Sequence, residues 1–323
     1  MRIVLCFPVE QRHIQQIQRT APQAEIIDAG QTGIAKRIFD ADIFCGHAKV
    51  PVPWADVVRQ HRLKWIQSSA AGLDHCLVPE VISADEIMVC SASGLFANQV
   101  AEQTCALLYG LFRKLPLFFA QTQQKSFERQ PTDDVHGKTI GIVGLGGNGR
   151  RIAEFLQPLG NELIATDFFP VDKPDYVQHL WPHDQLPELL QRSDIVILCV
   201  PLNEQTWHML STREFDLMRD NATLINVARG AVVDEVALVQ ALQLGKLSGA
   251  GLDVTEIEPL PPTSPLWEMP NVIITPHVGA QSHRRVDDSV DLFCENLIRF
   301  QQGKTLKNLV DKQLGFPRPE MRK

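Results

Sequence analysis

The sequence predicts an α/β protein built on two doubly wound, mostly parallel sheets. Three observations carry that expectation. Short apolar runs alternate with helical patterns along nearly the whole chain. Many of these runs are apolar throughout rather than every second residue, as strands covered on both faces must be. The alternation comes in two series parted by a long helical stretch, and 323 residues suit about two domains. Finally, the first strand of the second series runs directly into a glycine-rich turn and a helix.

In the first series, residues 3–7 read as a buried strand and 10–19 as a polar helix with Ile14 and Ile17 on one face. Residues 26–27, 43–45, 65–67 and 88–90 read as further strands. A long helical pattern covers 98–124, with Val100, Ala101, Cys105, Leu107, Leu108, Leu111 and Phe112 as its apolar side. Pro116 is expected to kink or end it. Residues 130–138, polar with Pro and Gly, form a loop. The second series places strands at 139–144, 163–167, 195–201, 224–228, 249–254 and 272–275, and helices at 149–159, 186–192 and 235–244. A final helix spans 282–302, and the tail 315–323 is expected to fray. If that last helix returns to the first domain, residues 100–285 are an insertion into a domain made of 1–99 and 286–323.

Composition narrows the function classes. With 44% hydrophobic and 21% charged residues the chain is an ordinary globular one. A net charge of −7 argues against nucleic acid as the main partner, because phosphate binding needs a basic surface. No uninterrupted apolar run approaches membrane-spanning length. The opening run ends at Pro8 and Glu10, too short for a signal peptide, so the cytoplasm is expected. Seven cysteines, at 6, 45, 76, 90, 105, 199 and 294, form no CxxC or zinc-type spacing. They suit a reducing compartment, and no metal is expected. Trp54 is expected to be a packing residue rather than a substrate shelf; its place after Pro51-Val52-Pro53 suggests a surface loop, with reach to a cleft or partner subunit as the alternative. Arg284-Arg285 beside Asp287-Asp288 reads as a solvated helix face.

The glycine turn identifies a cofactor. Thr139-Ile-Gly-Ile-Val-Gly144-Leu-Gly146-Gly147-Asn148-Gly149 is an apolar strand entering G-x-G-x-x-G. Gly144 permits the tight turn, Gly146 lets the backbone approach a pyrophosphate, and Gly149 allows close helix–strand packing. Amides near Gly147 and Asn148 then face the phosphates from the positive helix end. Asp167 lies 23 residues after Gly144, at the end of the next strand, where an acid binds the ribose hydroxyls. This is the pattern of a Rossmann domain. A carboxylate there repels a 2′-phosphate, and Phe168, Phe169 and Pro170 follow it rather than an arginine, so NAD is expected over NADP.

Three polar residues follow later apolar strands: Arg229, Glu258 and His277. Ligands of open parallel sheets bind at the carboxyl ends of strands, so the three are candidates to converge. An arginine fork clamps a carboxylate or carbonyl oxygen, a histidine moves a proton near neutral pH, and a carboxylate orients the imidazole. Together they suit reduction of a 2-oxo acid. Singly each has a plainer reading as a surface charge, a loop carboxylate or a satisfied strand-end histidine. Glu256, two residues before Glu258, leaves the register of the carboxylate open.

Several motifs in order then carry a resemblance over nearly the whole length: Ala71-Gly72-Leu73-Asp74, Asn98 with Val100-Ala101-Glu102, the glycine turn, Val200-Pro201-Leu202 with Thr206, Asn226-Val227-Ala228-Arg229-Gly230, Leu252-Asp253-Val254 with Glu258-Pro259, and Thr275-Pro276-His277-Val278-Gly279. The chain resembles the D-isomer-specific 2-hydroxyacid dehydrogenases. That resemblance implies a Rossmann cofactor domain inserted into a flavodoxin-like substrate domain, with homodimers formed through the cofactor domain. It implies that Arg229 binds the carboxylate and carbonyl of a 2-oxo acid, that His277 is the acid/base and that Glu258 is its partner. Backbone amides at Ala71 and Gly72, with Asn98 close by, would hold the substrate carboxylate. Asp253 would meet the nicotinamide amide, and Val200, Pro201, Thr206, Val227, Arg229, His277 and Gly279 would border the cofactor. Gly147-Asn148 departs from the family, where a charged or polar residue and then Ile are commoner.

Relatives within the resemblance are separated by single features. Formate dehydrogenases have Gln where Glu258 stands. Phosphoglycerate dehydrogenases with regulatory domains have a long C-terminal extension, for which the 46 residues after His277 leave no room. Corepressors that sense NAD(H) resemble the family and retain the Arg, Glu and His, and phosphite oxidation uses a similar site; both stand as alternatives to 2-oxo acid reduction.

Overall fold

The computed structural model describes residues 1–321. The chain divides into two compact units, Met1–Phe96 with the chain from Ser282 onward, and Ala97–Gln281. Each sheet follows from the apolar runs, and both are wholly parallel.

In the first unit β1 (Arg2–Cys6), β2 (Glu25–Asp28), β3 (Ile43–Gly46), β4 (Trp65–Ser68) and β5 (Met88–Cys90) alternate with α1 (Gln11–Thr20), α2 (Gly30–Arg37), α3 (Trp54–Arg59) and α4 (Pro79–Ser83). The sheet order β2-β1-β3-β4-β5 is the flavodoxin-like one. Strand period fixes the two cores. Ile3 and Leu5 face Ile17, Trp65 and Phe293, while Val4 and Cys6 face Phe44, Trp54 and Ile66. Both sides are covered, which is why β1 reads as a continuous apolar run.

The second unit opens with α5 (Ala97–Phe112) and α6 (Leu115–Gln123). The expected single long helix is two. Lys114 takes a left-handed conformation at φ 52°, and Pro116 lies in the first turn of α6, where proline is tolerated, rather than kinking a continuous helix. Then follow β6 (Thr139–Val143), α7 (Gly147–Leu156), β7 (Glu162–Asp167), β8 (His179–Pro182), α8 (Leu186–Arg192), β9 (Ile195–Leu198), α9 (Thr212–Leu217), β10 (Ala222–Asn226), α10 (Glu235–Gln243), β11 (Leu247–Leu252) and β12 (Val272–Ile274). Their order is β12-β11-β10-β9-β6-β7-β8, a Rossmann sheet whose strand order reverses between β6 and β9.

Helix α11 (Arg285–Gln301) belongs to the first unit and buries Val290, Phe293 and Leu297 against its sheet. Three expectations are corrected here. Trp54 packs as expected, but in a core and not in a surface loop: it opens α3, is only 4% exposed, lies edge-on to Phe44 and donates its indole N–H to the carbonyl of His75. Arg285 is not a solvated charge: its guanidinium lies 4.8 Å from the Phe96 ring centre, and burial lowers its pKa. The tail is ordered through Met321, since β13 (Val310–Asp311) pairs antiparallel with β14 (Phe316–Pro317) and Arg318 grips Asp311. Residues 322–323 of that tail lie outside the described residues. Among the described residues, no helix is long and apolar enough to cross a membrane.

Candidate active site

The glycine turn is built by contact. Gly144 has φ +96°, and a Cβ there would press on the backbone of Cys199 at 3.1 Å. A Cβ on Gly149 would sit 2.0 Å from the carbonyl oxygen of Gly144, so α7 can seat on the turn only with glycine at that position. At Gly146 nothing lies within 4 Å of where a Cβ would be. The turn is therefore tight below and open above, and Gly147 and Asn148 begin α7 beside that space. Asp167, at the end of β7, accepts the amide of Leu145 at 2.7 Å and that of Phe169 at 2.8 Å. The acid is thus fastened to the turn itself. Thr206 closes the loop after β9, donating to the carbonyl of Pro201 at 2.7 Å and accepting from the amide of Asn203 at 2.8 Å. Open room at Gly146, a helix N-terminus and a carboxylate at the next strand end fit a dinucleotide.

The three candidate side chains come from the strand ends further along the same sheet. After β10, Asn226 braces the turn: its side chain accepts the amide of Ala228 and donates to the carbonyl of Arg229, each at 3.0 Å. Arg229 lies on this turn with Nη1 on the carbonyl of Ala228 at 2.8 Å. The following residue must be glycine, because a Cβ on Gly230 would fall 1.8 Å from the carbonyl oxygen of Thr255. That close approach presses the Arg229 turn against the loop that carries Glu258.

Glu258 accepts from the amide of Thr255 at 3.3 Å through Oε1, and its Oε2 lies 2.9 Å from Nδ1 of His277. Burial alone would raise its pKa. The hydrogen bond and charge of His277, the Thr255 amide and the charge of Arg229 outweigh burial and hold it below the usual carboxylate value. An ionised carboxylate only accepts, so Nδ1 of His277 carries the proton and Nε2 is the ring atom left for proton exchange. Glu256 is elsewhere: it bonds Nε2 of His208 at 2.9 Å and the amide of Glu235 at 3.1 Å. Of the two carboxylates, Glu258 is the one beside His277, and Glu256 is beside His208.

A family model described as "D-isomer specific 2-hydroxyacid dehydrogenase, NAD binding domain" matches residues 105–279, more than half of the chain. The chain belongs to the D-isomer specific 2-hydroxyacid dehydrogenase family. It is a 2-oxo/2-hydroxy acid oxidoreductase with an NAD(P)-binding domain. The chain is 31% identical over 293 residues to a glyoxylate reductase of Korarchaeum cryptofilum, covering 88% of this chain and 87% of that one. To a glyoxylate reductase of Thermococcus gammatolerans it is 34% identical over 263 residues, or 78% of each. A crystal structure of a D-isomer specific 2-hydroxyacid dehydrogenase from Xanthobacter autotrophicus, in complex with NADPH and MES, superposes with a TM-score of 0.81 at 26% identity, covering 98% of this chain and 99% of that one.

Within this family member, Arg229, Glu258 and His277 share one unit and one set of strand ends. Ala71 and Gly72 belong to the first unit, in the loop after β4, with Ala71 exposed and Gly72 half-buried. Asn98 stands in the first turn of α5, its Oδ1 on Nε of Arg151 at 2.6 Å. Asp253 is 3% exposed, and its carboxylate accepts from the hydroxyl of Thr275 and the amides of Val278 and Gly279. Asn226, Thr275 and Gln103 hold this site together, yet their structural parts are not foreseen from the sequence. A polar side chain at the end of an apolar strand, as at Asn226 and Thr275, is the signal that could have found two of them. The cysteines take no part: burial raises the thiols of Cys90 and Cys199 to about 12, which keeps them protonated.

Proposed function

We propose that the protein reduces small 2-oxo acids to (R)-2-hydroxy acids with NADH. The observation that carries this reading is the ionised Glu258 on Nδ1 of His277 within the field of Arg229. The glyoxylate reductases among the relatives support glyoxylate and its close analogues as the substrate class. Arg229 clamps the substrate carboxylate and polarises its carbonyl, with the side chain of Asn98 as a further carboxylate ligand. The chemistry that a reduced nicotinamide would supply, when bound, is hydride for the carbonyl carbon. Nε2 of His277 gives its proton to the carbonyl oxygen, which completes the hydroxyl, and takes it back in the oxidative direction. Glu258 fixes the ring tautomer and stabilises the imidazolium that precedes proton donation.

Gly144, Gly146, Gly147, Asn148 and Gly149 would hold the pyrophosphate, Asp167 the ribose hydroxyls, and Val200, Pro201, Thr206, Val227, Asp253 and Gly279 would border the nicotinamide half. The test is steady-state turnover of glyoxylate, hydroxypyruvate and bulkier 2-oxo acids with NADH and with NADPH. Turnover of the smaller acids with preference for NADH is expected, and no turnover of any would overturn the reading. Asp167 sets that preference, because like charges brought together cost several kcal/mol. Asp167→Asn removes the charge and keeps an acceptor for one of the two amides, those of Leu145 and Phe169, which bond different carboxylate oxygens. The ratio of kcat/KM for NADPH over NADH should rise about tenfold or more; an unchanged ratio removes Asp167 from cofactor choice.

The protein works as a homodimer joined through the cofactor domain. Helix α6 is apolar in sequence yet none of its side chains is buried: Leu115 and Leu117 are exposed, Phe119 is 64% exposed, and Phe127 just beyond is 97% exposed. Such a patch marks an interaction surface. Light scattering should give a dimer for the wild type and a folded monomer for Phe119→Glu with Leu117→Glu. A dimer in the double variant would place the interface elsewhere. Seven free thiols suit the reducing cytoplasm.

A further inference from the structure

We propose that Gln103 and Thr275 are positioning residues for the proton-transfer step, acting through Asp253 on the loop that carries His277. The inference rests on the reading of His277 as the acid/base.

The loop leaves β12 and turns sharply. His277 itself has φ +54°, a left-handed conformation that a residue with a side chain holds only when its surroundings enforce it. The enforcement is visible atom by atom. The amide of His277 donates to the carbonyl of Asp253 at 2.8 Å and that of Thr275 donates to Leu252 at 2.9 Å. The amides of Val278 and Gly279 donate to the two carboxylate oxygens of Asp253, at 2.9 and 2.7 Å. A Cβ on Gly279 would meet Oδ2 of Asp253 at 2.7 Å, so the residue there must be glycine for that second bond to form. His277 is therefore held at two points, its ring by Glu258 and its backbone by Asp253.

What holds Asp253 is the less obvious part. Oγ1 of Thr275 lies 2.6 Å from Oδ1 of Asp253 and 2.8 Å from Nε2 of Gln103 on α5. A hydroxyl has one proton and an ionised carboxylate has none, so the directions are fixed: Gln103 donates to Thr275, and Thr275 donates to Asp253. The chain runs one way, and removing either of the first two members removes a donor that the next depends on. Asp253 also donates its own amide to the carbonyl of Asn226 at 3.0 Å. Asn226 is the residue that braces the turn of Arg229. Asp253 thus ties the proton donor's loop, through its carboxylate, to the substrate clamp's turn, through its amide, and Gln103 anchors the arrangement from α5. Networks of this kind matter because small misplacements of a reacting group cost rate steeply.

The experiment uses the full-length protein with Thr275→Val, Thr275→Ser, Gln103→Leu and His277→Asn. Four readouts are needed: kcat and KM for glyoxylate with NADH, the solvent deuterium isotope effect on kcat, NADH affinity by fluorescence, and the melting temperature. Thr275→Val keeps shape and loses the hydroxyl; kcat should fall about 10- to 100-fold, with a larger solvent isotope effect as proton transfer becomes limiting and with NADH affinity unchanged. Gln103→Leu should do the same to a lesser degree, and it tests the chain even if Thr275→Val fails to fold. Thr275→Ser restores the donor and should restore kcat and the isotope effect. The proposal is overturned if Thr275→Val and Gln103→Leu keep wild-type kcat and isotope effect. It is equally overturned if Thr275→Ser is as impaired as Thr275→Val, or if losses follow melting temperature with an unchanged isotope effect. His277→Asn separates the two levels: full activity there defeats the acid/base reading itself, whereas an inactive His277→Asn beside a normal Thr275→Val defeats only the positioning network.

Discussion

His277→Ala should lower kcat for 2-oxo acid reduction by about 10²- to 10⁴-fold, the range that a positioned general acid contributes. The expectation comes from geometry before chemistry. The imidazole is held by the Glu258 carboxylate 2.9 Å from Nδ1, and that carboxylate sits within the field of Arg229. Removing the ring takes away the proton donor and also changes Glu258. Burial already pushes its carboxyl upward, and the contact with His277 is the leading influence holding it down. In the variant that influence is gone and burial prevails, so Glu258 takes up a proton at a higher pH than in the wild type. The sign for stability follows. In the wild type a depressed carboxyl stabilises the fold at pH above its ordinary value and loses that contribution only as pH falls through the lowered one. In the variant the loss begins at higher pH. The test compares kcat at saturating NADH near pH 7, with melting curves between pH 4 and 7. A variant as fast as the wild type removes His277 from proton transfer, whatever its melting curves show.

The sequence made some of this legible because the information was local. The glycines at 144, 146 and 149 fall in one run of six residues between a strand and a helix, and the closest contact among them, Gly149 on the carbonyl of Gly144, lies inside that run. The parallel strands were legible because burial on both faces leaves an unbroken apolar run. β8 escaped notice for the converse reason: as the edge strand beside β7 it needs no such run, and both of its ends are exposed. α9 announced itself only through a capping box, Ser211 with Glu214, around a single buried side chain, Phe215. Arg229, Glu258 and His277 could be named as candidates from their places after strands. Their convergence could not, since Glu256 and Glu258 are equivalent in sequence and differ only in which histidine the loop turns them toward. The bond from Gln103 to Thr275 spans 172 residues, and no spacing rule joins a helix of one part of the chain to a strand end so far along it.

Gly230→Ala should be the most damaging small substitution near the site, and the contrast with Gly146→Ala shows why. An alanine Cβ at position 230 would lie 1.8 Å from the carbonyl oxygen of Thr255, 1.9 Å from its carbon and 2.4 Å from the amide nitrogen of Glu256. These are backbone atoms, so no rotamer change relieves the contact and the two loops must separate. One of those loops carries Arg229 and the other Glu258, so separation pulls the substrate clamp away from the partner of the proton donor. A misplacement of about 1 Å is enough for a 100-fold loss in kcat/KM, and overpacking at a tight contact costs about 1–3 kcal/mol of stability. Both losses are expected together, in turnover and in thermal melting. At Gly146 an alanine meets nothing within 4 Å and the backbone has φ −76°, which any residue adopts, so the melting temperature should stay at the wild-type value. The Cβ would instead occupy the room left for the pyrophosphate, and NADH affinity should fall while the fold is untouched. Calorimetry and NADH titration on the two variants separate the effects. A Gly230→Ala protein with wild-type melting and turnover would mean that the Arg229 and Glu258 loops move apart at no cost, and that their close approach is not what assembles the site.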